Sequence, residues 1–195
     1  MNKVKYLLTY RYAEIIHDLT VEFCLKYLRN PSNLSNLGYA AGDRTVAQMT
    51  QAARSGKQNI VEGVAEIASL KSQIKLLGVS LASFEELITD YEDFLRQHGL
   101  EIYPKTHPKI AEFRKTAYRL SDLSNLSNLG NLKEKPVLPG NPTDDANFLL
   151  TLCHIETYLL SKQIKAAEEK FIKEGGYTEN LFQKRLEYLK SKSLK

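Results

Sequence analysis

Apolar residues recur along this chain every three or four positions, and they do not alternate over a strand-length run. The clearest case is Leu70, Ile74, Leu77, Leu81, Phe84, Ile88, Tyr91 and Leu95, spaced alternately four and three apart. A seam of that kind predicts a long helix packed in a bundle. His98-Gly99 ends it, because glycine tolerates the left-handed stop. Upstream, Leu8, Tyr12, Ile15, Leu19 and Phe23 mark a first helix from about Lys5 to Arg29, broken at Asn30-Pro31. Asp43 is a good N-cap for a second helix reaching about Ile67. Downstream, a shorter helix from about Pro108 to Leu123 carries Ile110, Phe113, Ala117 and Leu120 on one face. Another long helix opens at Asn141-Pro142, with asparagine capping and proline in the first turn. Asp144 and Asp145 suit the positive end of its dipole, and Gly175-Gly176 closes it. A last amphipathic helix, about Thr178 to Lys192, presents Leu181, Phe182, Leu186 and Leu189. The pattern predicts one all-α domain over 1–195, an up-and-down four-helix bundle with additional shorter C-terminal helices.

The second helix contains "QAARSGKQNIVEG", whose letters suggest a phosphate-binding loop. A Walker-type loop needs glycine five positions before its Gly-Lys pair and Ser or Thr after it. Those positions hold Gln51 and Gln58, so the phosphate-loop reading fails. The helical period fits instead: Val46, Met49, Ala53, Gly56, Ile60, Gly63 and Ile67 fall on one seam. Each glycine costs a helix interior about 1 kcal/mol relative to alanine. Their place on the seam predicts close approach of a neighbouring helix.

"AARSGKQNIVEG", followed by a helix with the paired glutamates of "SFEEL", resembles the four-helix-bundle proteins encoded in intervening sequences of large-subunit ribosomal RNA genes. That family's Arg-x-x-x-x-Asn-hydrophobic-x-Glu-Gly signature is matched by Arg54, Asn59, Ile60, Glu62 and Gly63, within a resemblance covering roughly 5–100. "DYEDFLRQHGL" and "YLLSKQIKAAEEKFIKEGGY" are similar to a bacterial subgroup with a C-terminal extension. On this view residues 1–123 hold the family-like core helices, with an Asn/Ser-rich connector at 30–42. A low-complexity connector occupies 124–143, and 144–195 form the long helix and a basic C-terminal helix. The resemblance implies a homo-oligomer, typically a pentamer, and a distant relationship to the accessory protein of diversity-generating retroelements, which binds nucleic acid and a reverse transcriptase. It implies no catalytic residues and no cofactor. Arg54, Gly56, Asn59, Glu62 and Gly63 are its packing and assembly positions.

The connectors share "SNLSNLG", letter for letter, at Ser32–Gly38 and Ser124–Gly130. Seven residues are too few for a solenoid repeat, and Ser, Asn and Gly suit turns. Their leucines read as exposed, or as small contact points.

Charge changes the picture more. The chain carries a net +4, and residues 162–195 hold nine Lys/Arg against five Asp/Glu, so the whole excess belongs to the C-terminal end. Lys162, Lys165, Lys173, Lys184, Arg185, Lys190 and Lys192 are candidate phosphate contacts for RNA or DNA, with Tyr177 and Tyr188 able to stack on bases. Conversely, Glu86, Asp90 and Asp93 form an acidic stripe on the third helix. Unpaired, such a stripe repels itself. Arg54, Lys57, Arg96, a neighbouring subunit or a docked protein partner would relieve it.

Catalytic signals are thin. Glu14-x-x-His17 is half of a di-iron spacing, and none of the other histidines has a glutamate three residues before it. Cys153 and His154 are adjacent on a helix and diverge by about 100°, while Cys24 and His154 could meet only across a bundle. Cys24 and Cys153 form no CxxC pair and read as buried thiols in a reducing cytoplasm. Arg11, Glu14 and Asp18 interrupt the N-terminal apolar run, excluding a secretory segment or membrane span there. The expectation is a cytoplasmic, non-enzymatic, self-associating bundle serving nucleic acid or a ribonucleoprotein, without metal, membrane or small-molecule substrate. The alternative is a scaffold docking a protein through the acidic third helix, and a metal or small-molecule enzyme is a third reading.

Overall fold

A computed structural model describes residues 3–29, 43–66, 69–128 and 130–193, whose regular elements are all helices, without strands. The helices are α1 (Leu8–Phe23), α2 (Asp43–Ala65), α3 (Leu70–Gln97), α4 (Pro108–Ser121), α5 (Pro142–Glu174) and α6 (Tyr177–Ser193). A 3-10 turn at Lys3–Tyr6 precedes α1, and a π-helical turn at Cys24–Leu28 follows it. The predicted connector at 30–42, the first SNLSNLG copy and the Ile67 end of the α2 seam lie outside the described residues.

Helix α1 packs on α2 and on α5, α3 packs on α2 and on α5, and α4 lies against α5 and α1. The first half of α5 is therefore part of the core, burying Phe148, Leu149, Leu152, Cys153 and Leu160. Core residues thus extend beyond the 1–123 boundary drawn from the sequence. At the centre Phe23 meets Tyr91 edge-on, 5.2 Å between ring centroids, and Phe94 at 4.8 Å. The Tyr91 hydroxyl is satisfied by Thr20 Oγ1 at 2.8 Å.

The α1 stripe is buried from Tyr12 to Phe23, but Leu8 at the first turn is exposed. The α3 seam is buried from Leu77 onward apart from half-buried Leu81, and Leu87 and Phe94 are buried beside it. Gly99 and Gly175 stop α3 and α5 with φ of +64° and +70°. Asn141 caps α5, its Oδ1 accepting from the Asp144 amide at 2.9 Å. The described residues between α4 and α5 form a folded connection. A 3-10 turn at Leu123–Asn125 leads into a bridge between Leu126 and Leu132, and Asn125 Nδ2 donates to Leu120 O. Leu126, expected at the surface, is buried here along with Leu138.

On α2 the whole described seam is buried, both glycines included. A Cβ at Gly56 would come within 2.6 Å of the fully buried Phe84 ring, and Ser80 Oγ on α3 donates to Gly56 O at 2.8 Å. At Gly63 the nearest atoms, Leu76 Cβ and the Gln73 carbonyl, stand 3.4 and 3.5 Å from such a Cβ, an ordinary contact. The two glycines should therefore respond oppositely. Gly56→Ala is expected to destabilise the protein by about 1–2 kcal/mol, overpacking outweighing the helix-propensity gain. Gly63→Ala is expected to be neutral or slightly stabilising. Urea denaturation of both variants checks this, and equal midpoints would contradict it.

Candidate nucleic-acid interface and assembly surfaces

Helix α6 follows α5 through a short, defined elbow. The Gly176 amide donates to Glu179 Oε2 at 2.8 Å, and Asn180 Nδ2 donates to the last α5 carbonyl, Glu174 O, at 3.1 Å. Beyond the elbow α6 has no substantial packing partner among the described helices. Tyr177, Leu181, Phe182, Tyr188 and Leu189 are each about half exposed or more, and Ile172 near the end of α5 is 81% exposed.

Helical spacing sets the chemistry of this surface. Tyr177, Leu181, Lys184, Tyr188 and Lys192 follow one another at steps of four, three, four and four, with Arg185 one step round from Lys184. Tyr177, Leu181, Tyr188, Lys184, Arg185 and Lys192 thus share a face, flanked by Asn180, Glu187 and Ser191, while Phe182, Leu186, Leu189 and Lys190 lie on the opposite side. All seven predicted phosphate contacts are exposed: Lys162, Lys165 and Lys173 on α5, and Lys184, Arg185, Lys190 and Lys192 on α6. Lys162 Nζ lies 5.4 Å from the centre of the Tyr158 ring, and Lys170 is engaged by Glu174 at 3.9 Å.

The motif positions on α2 separate into two groups. Gly56 and Gly63 face α3 within the chain. Asn59 Nδ2 bonds back to Ser55, to its carbonyl at 2.9 Å and its hydroxyl at 3.2 Å. Arg54 and Glu62 are exposed, without a side-chain partner among the described residues.

The acidic stripe is also only partly answered within the chain. Asp93 pairs with Arg96 at 2.7 Å, but Glu86 and Asp90 take no cation among the described residues. Lys57, a candidate partner by sequence, points to His17 instead, 3.3 Å from Nδ1. Burial, and then the like charges of Glu86 and Asp93, raise the Asp90 carboxyl above its usual range. Glu86 and Asp90 border an open groove between α2 and α3, lined also by the small side chains Ala47, Ala52, Ser55, Ala82 and Ser83, by Val79, and by Arg44.

The catalytic candidates do not converge. Glu14 accepts from Tyr10 and His17 approaches Asp18, each at 3.4 Å, and no hydrogen bond joins Glu14 to His17. Cys24 is buried against Met49, its thiol pushed up to about 12 by burial, whereas His154 is exposed. Cys153 is likewise held far above the thiolate range, by burial and then by nearby Glu156 and Glu85. Two buried carboxyl groups escaped the sequence reading as structural elements. Asp145 is fully buried against α1, and Glu156 is fully buried with neither oxygen partnered among the described residues. Glu156 could have been found, since it lies four residues from Leu152 and from Leu160 on the apolar side of α5.

No three His, Cys, Asp or Glu side chains among the described residues are placed to hold a metal ion, and no described helix is long and apolar enough to cross a membrane. Comparison with known protein families, with curated proteins and with solved structures returns no match.

Proposed function

We propose that this chain is a binding protein rather than an enzyme: a self-associating up-and-down four-helix bundle of α1, α2, α3 and α5 that serves nucleic acid through the α5–α6 arm. The bundle reading is supported by the closed circuit of pairings, α1 to α2 to α3 to α5 and back to α1. The short connection between α2 and α3 favours an antiparallel pair. One observation carries the function. Helix α6 leaves Tyr177, Tyr188 and Leu181 together with Lys184, Arg185 and Lys192 on one exposed face, which is the combination that grips phosphates and stacks bases. Self-association would repeat the arm around the assembly and multiply its phosphate contacts. The Arg54 and Glu62 side chains, exposed on the motif helix, are the polar groups we assign to contacts between copies.

The test is a salt titration of single-stranded RNA binding by the full chain and by a variant with Lys184, Arg185, Lys190 and Lys192 all changed to glutamine. Each phosphate contact on a single strand contributes about 0.7 to the slope of log affinity against log salt. The variant should lose roughly 3 from that slope. Equal slopes would remove α6 from the interface.

A second reading is favoured by the α2–α3 groove, where Glu86 and Asp90 form no ion pair among the described residues, with Arg44 also in the lining. On that reading a basic protein helix docks there. Neutralising both carboxylates would abolish capture of that partner and leave RNA affinity no weaker.

A further inference from the structure

A half-open pocket of about 440 Å³ lies between α4, the first half of α5 and the non-helical segment at 100–107. Its size is in the range of roughly 300–1,000 Å³ typical of small-molecule sites. Ile110, Leu150 and Thr151 are buried in its lining, with Ile155 half-buried beside them. Lys105 and Arg114 reach the same pocket from the surface, and neither side chain has a partner among the described residues.

The wall opposite α5 is fixed rather than loose. Buried Asn147 accepts from the Tyr103 amide at 2.8 Å, and its Nδ2 donates to the carbonyls of Glu101 and Thr143, each at 2.8 Å. Asp144 accepts from the Tyr103 hydroxyl and from Lys109 Nζ, both at 2.6 Å, and the Tyr103 ring stacks on His107 with centroids 3.9 Å apart. A segment without helical hydrogen bonds is thus clamped to α5 before any ligand arrives, which lowers the ordering cost of binding.

Charge selects the ligand. Lys105 and Arg114 contribute two positive charges and Glu92 one negative, so these three side chains leave the lining singly positive. We propose that this pocket binds a small monocarboxylate with an apolar body. The body lies on Ile110, Leu150 and Ile155, and the carboxylate meets Arg114, whose planar fork matches it. Glu92 disfavours dianions such as phosphate monoesters. The site is separate from α6 and does not depend on the nucleic-acid reading.

The probes are naphthalene-1-acetate and its cationic counterpart of similar shape, 1-naphthylmethylammonium, titrated into the full chain by calorimetry. The carboxylate should bind one to one, at least about tenfold tighter than the cation, a difference of about 1.4 kcal/mol. Arg114→Gln, at an exposed position that leaves the core intact, should cut carboxylate affinity about tenfold. Leu150→Trp should fill the pocket and abolish binding in protein that retains its helical circular dichroism. Three results would each overturn the proposal: no carboxylate binding up to about 1 mM, equal affinity for both probes, or an Arg114→Gln variant that binds as well as the parent.

Discussion

Replacing Glu156 with methionine is expected to stabilise the protein by roughly 2 kcal/mol at neutral pH, an outcome opposite to that of most core substitutions. Glu156 is fully buried on α5, and neither carboxyl oxygen finds a partner among the described residues. Burial raises its pKa far above the ordinary 4.5. In the unfolded chain the group ionises near that ordinary value, so over the window between the two the unfolded state binds fewer protons than the folded one. Stability from this group is therefore fully present below about pH 4.5 and declines as pH rises toward the folded value. Burial raises Glu14 in the same sense. Asp144 works oppositely. Burial alone would raise it, but hydrogen bonds from Lys109, Tyr103 and Asn141 outweigh that and hold it below 3.8, so its contribution is lost only in acid. Methionine matches glutamate in length and needs no partner. Denaturation midpoints of both proteins at pH 5 and pH 8 check the claim: the gap should widen with pH. A destabilised variant would mean that Glu156 has a favourable role that burial and hydrogen bonding do not explain.

Asp145→Ala should cost about 3 kcal/mol, the largest loss expected from one substitution here. Its Oδ2 accepts from the Tyr27 hydroxyl at 2.7 Å and from Lys26 Nζ at 2.8 Å, and its Oδ1 from the Gly140 amide at 2.6 Å. One buried carboxylate therefore joins the π-helical end of α1, the end of the 124–141 connection and the start of α5. Removing it leaves a buried phenol and a backbone amide without their acceptor, and takes the Asp145 carboxylate from a partly buried ammonium that keeps the Gly140 carbonyl. Lys26 retains some solvent, which keeps the loss at the lower end of the range for broken buried pairs. Urea denaturation measures it. A loss under about 1 kcal/mol would show that water replaces the carboxylate at little cost.

The parts of this fold that are legible in sequence are those fixed by spacing and punctuation. The four-and-three seam of α3, the α2 seam with its two glycines, the Asn141 cap and the stops at Gly99 and Gly175 are local, and local chemistry determines them. What is not local stays hidden. Asp144 and Asp145 read as residues favoured by a helix dipole, yet their partners Lys109, Tyr103, Lys26 and Tyr27 lie 35 to 119 residues away. Leu126 reads as an exposed leucine in a Ser/Asn-rich run, and only the bridge to Leu132 and the cover around it bury it. The candidate interface shows the same limit. The amphipathic face and basic excess of α6 are plain from residue order, but whether the chain covers that face itself depends on the elbow at Gly175-Gly176.

The central claim is that this uncovered arm binds nucleic acid by its charge. Fluorescence anisotropy of a labelled 20-nucleotide single-stranded RNA, titrated with the full chain at rising salt, tests it most directly. Seven phosphate contacts at about 0.7 each predict a slope near −5, and an affinity that falls about a thousandfold between roughly 50 and 200 mM salt. Failure to bind at 50 mM, or binding that salt leaves unchanged, would contradict the account.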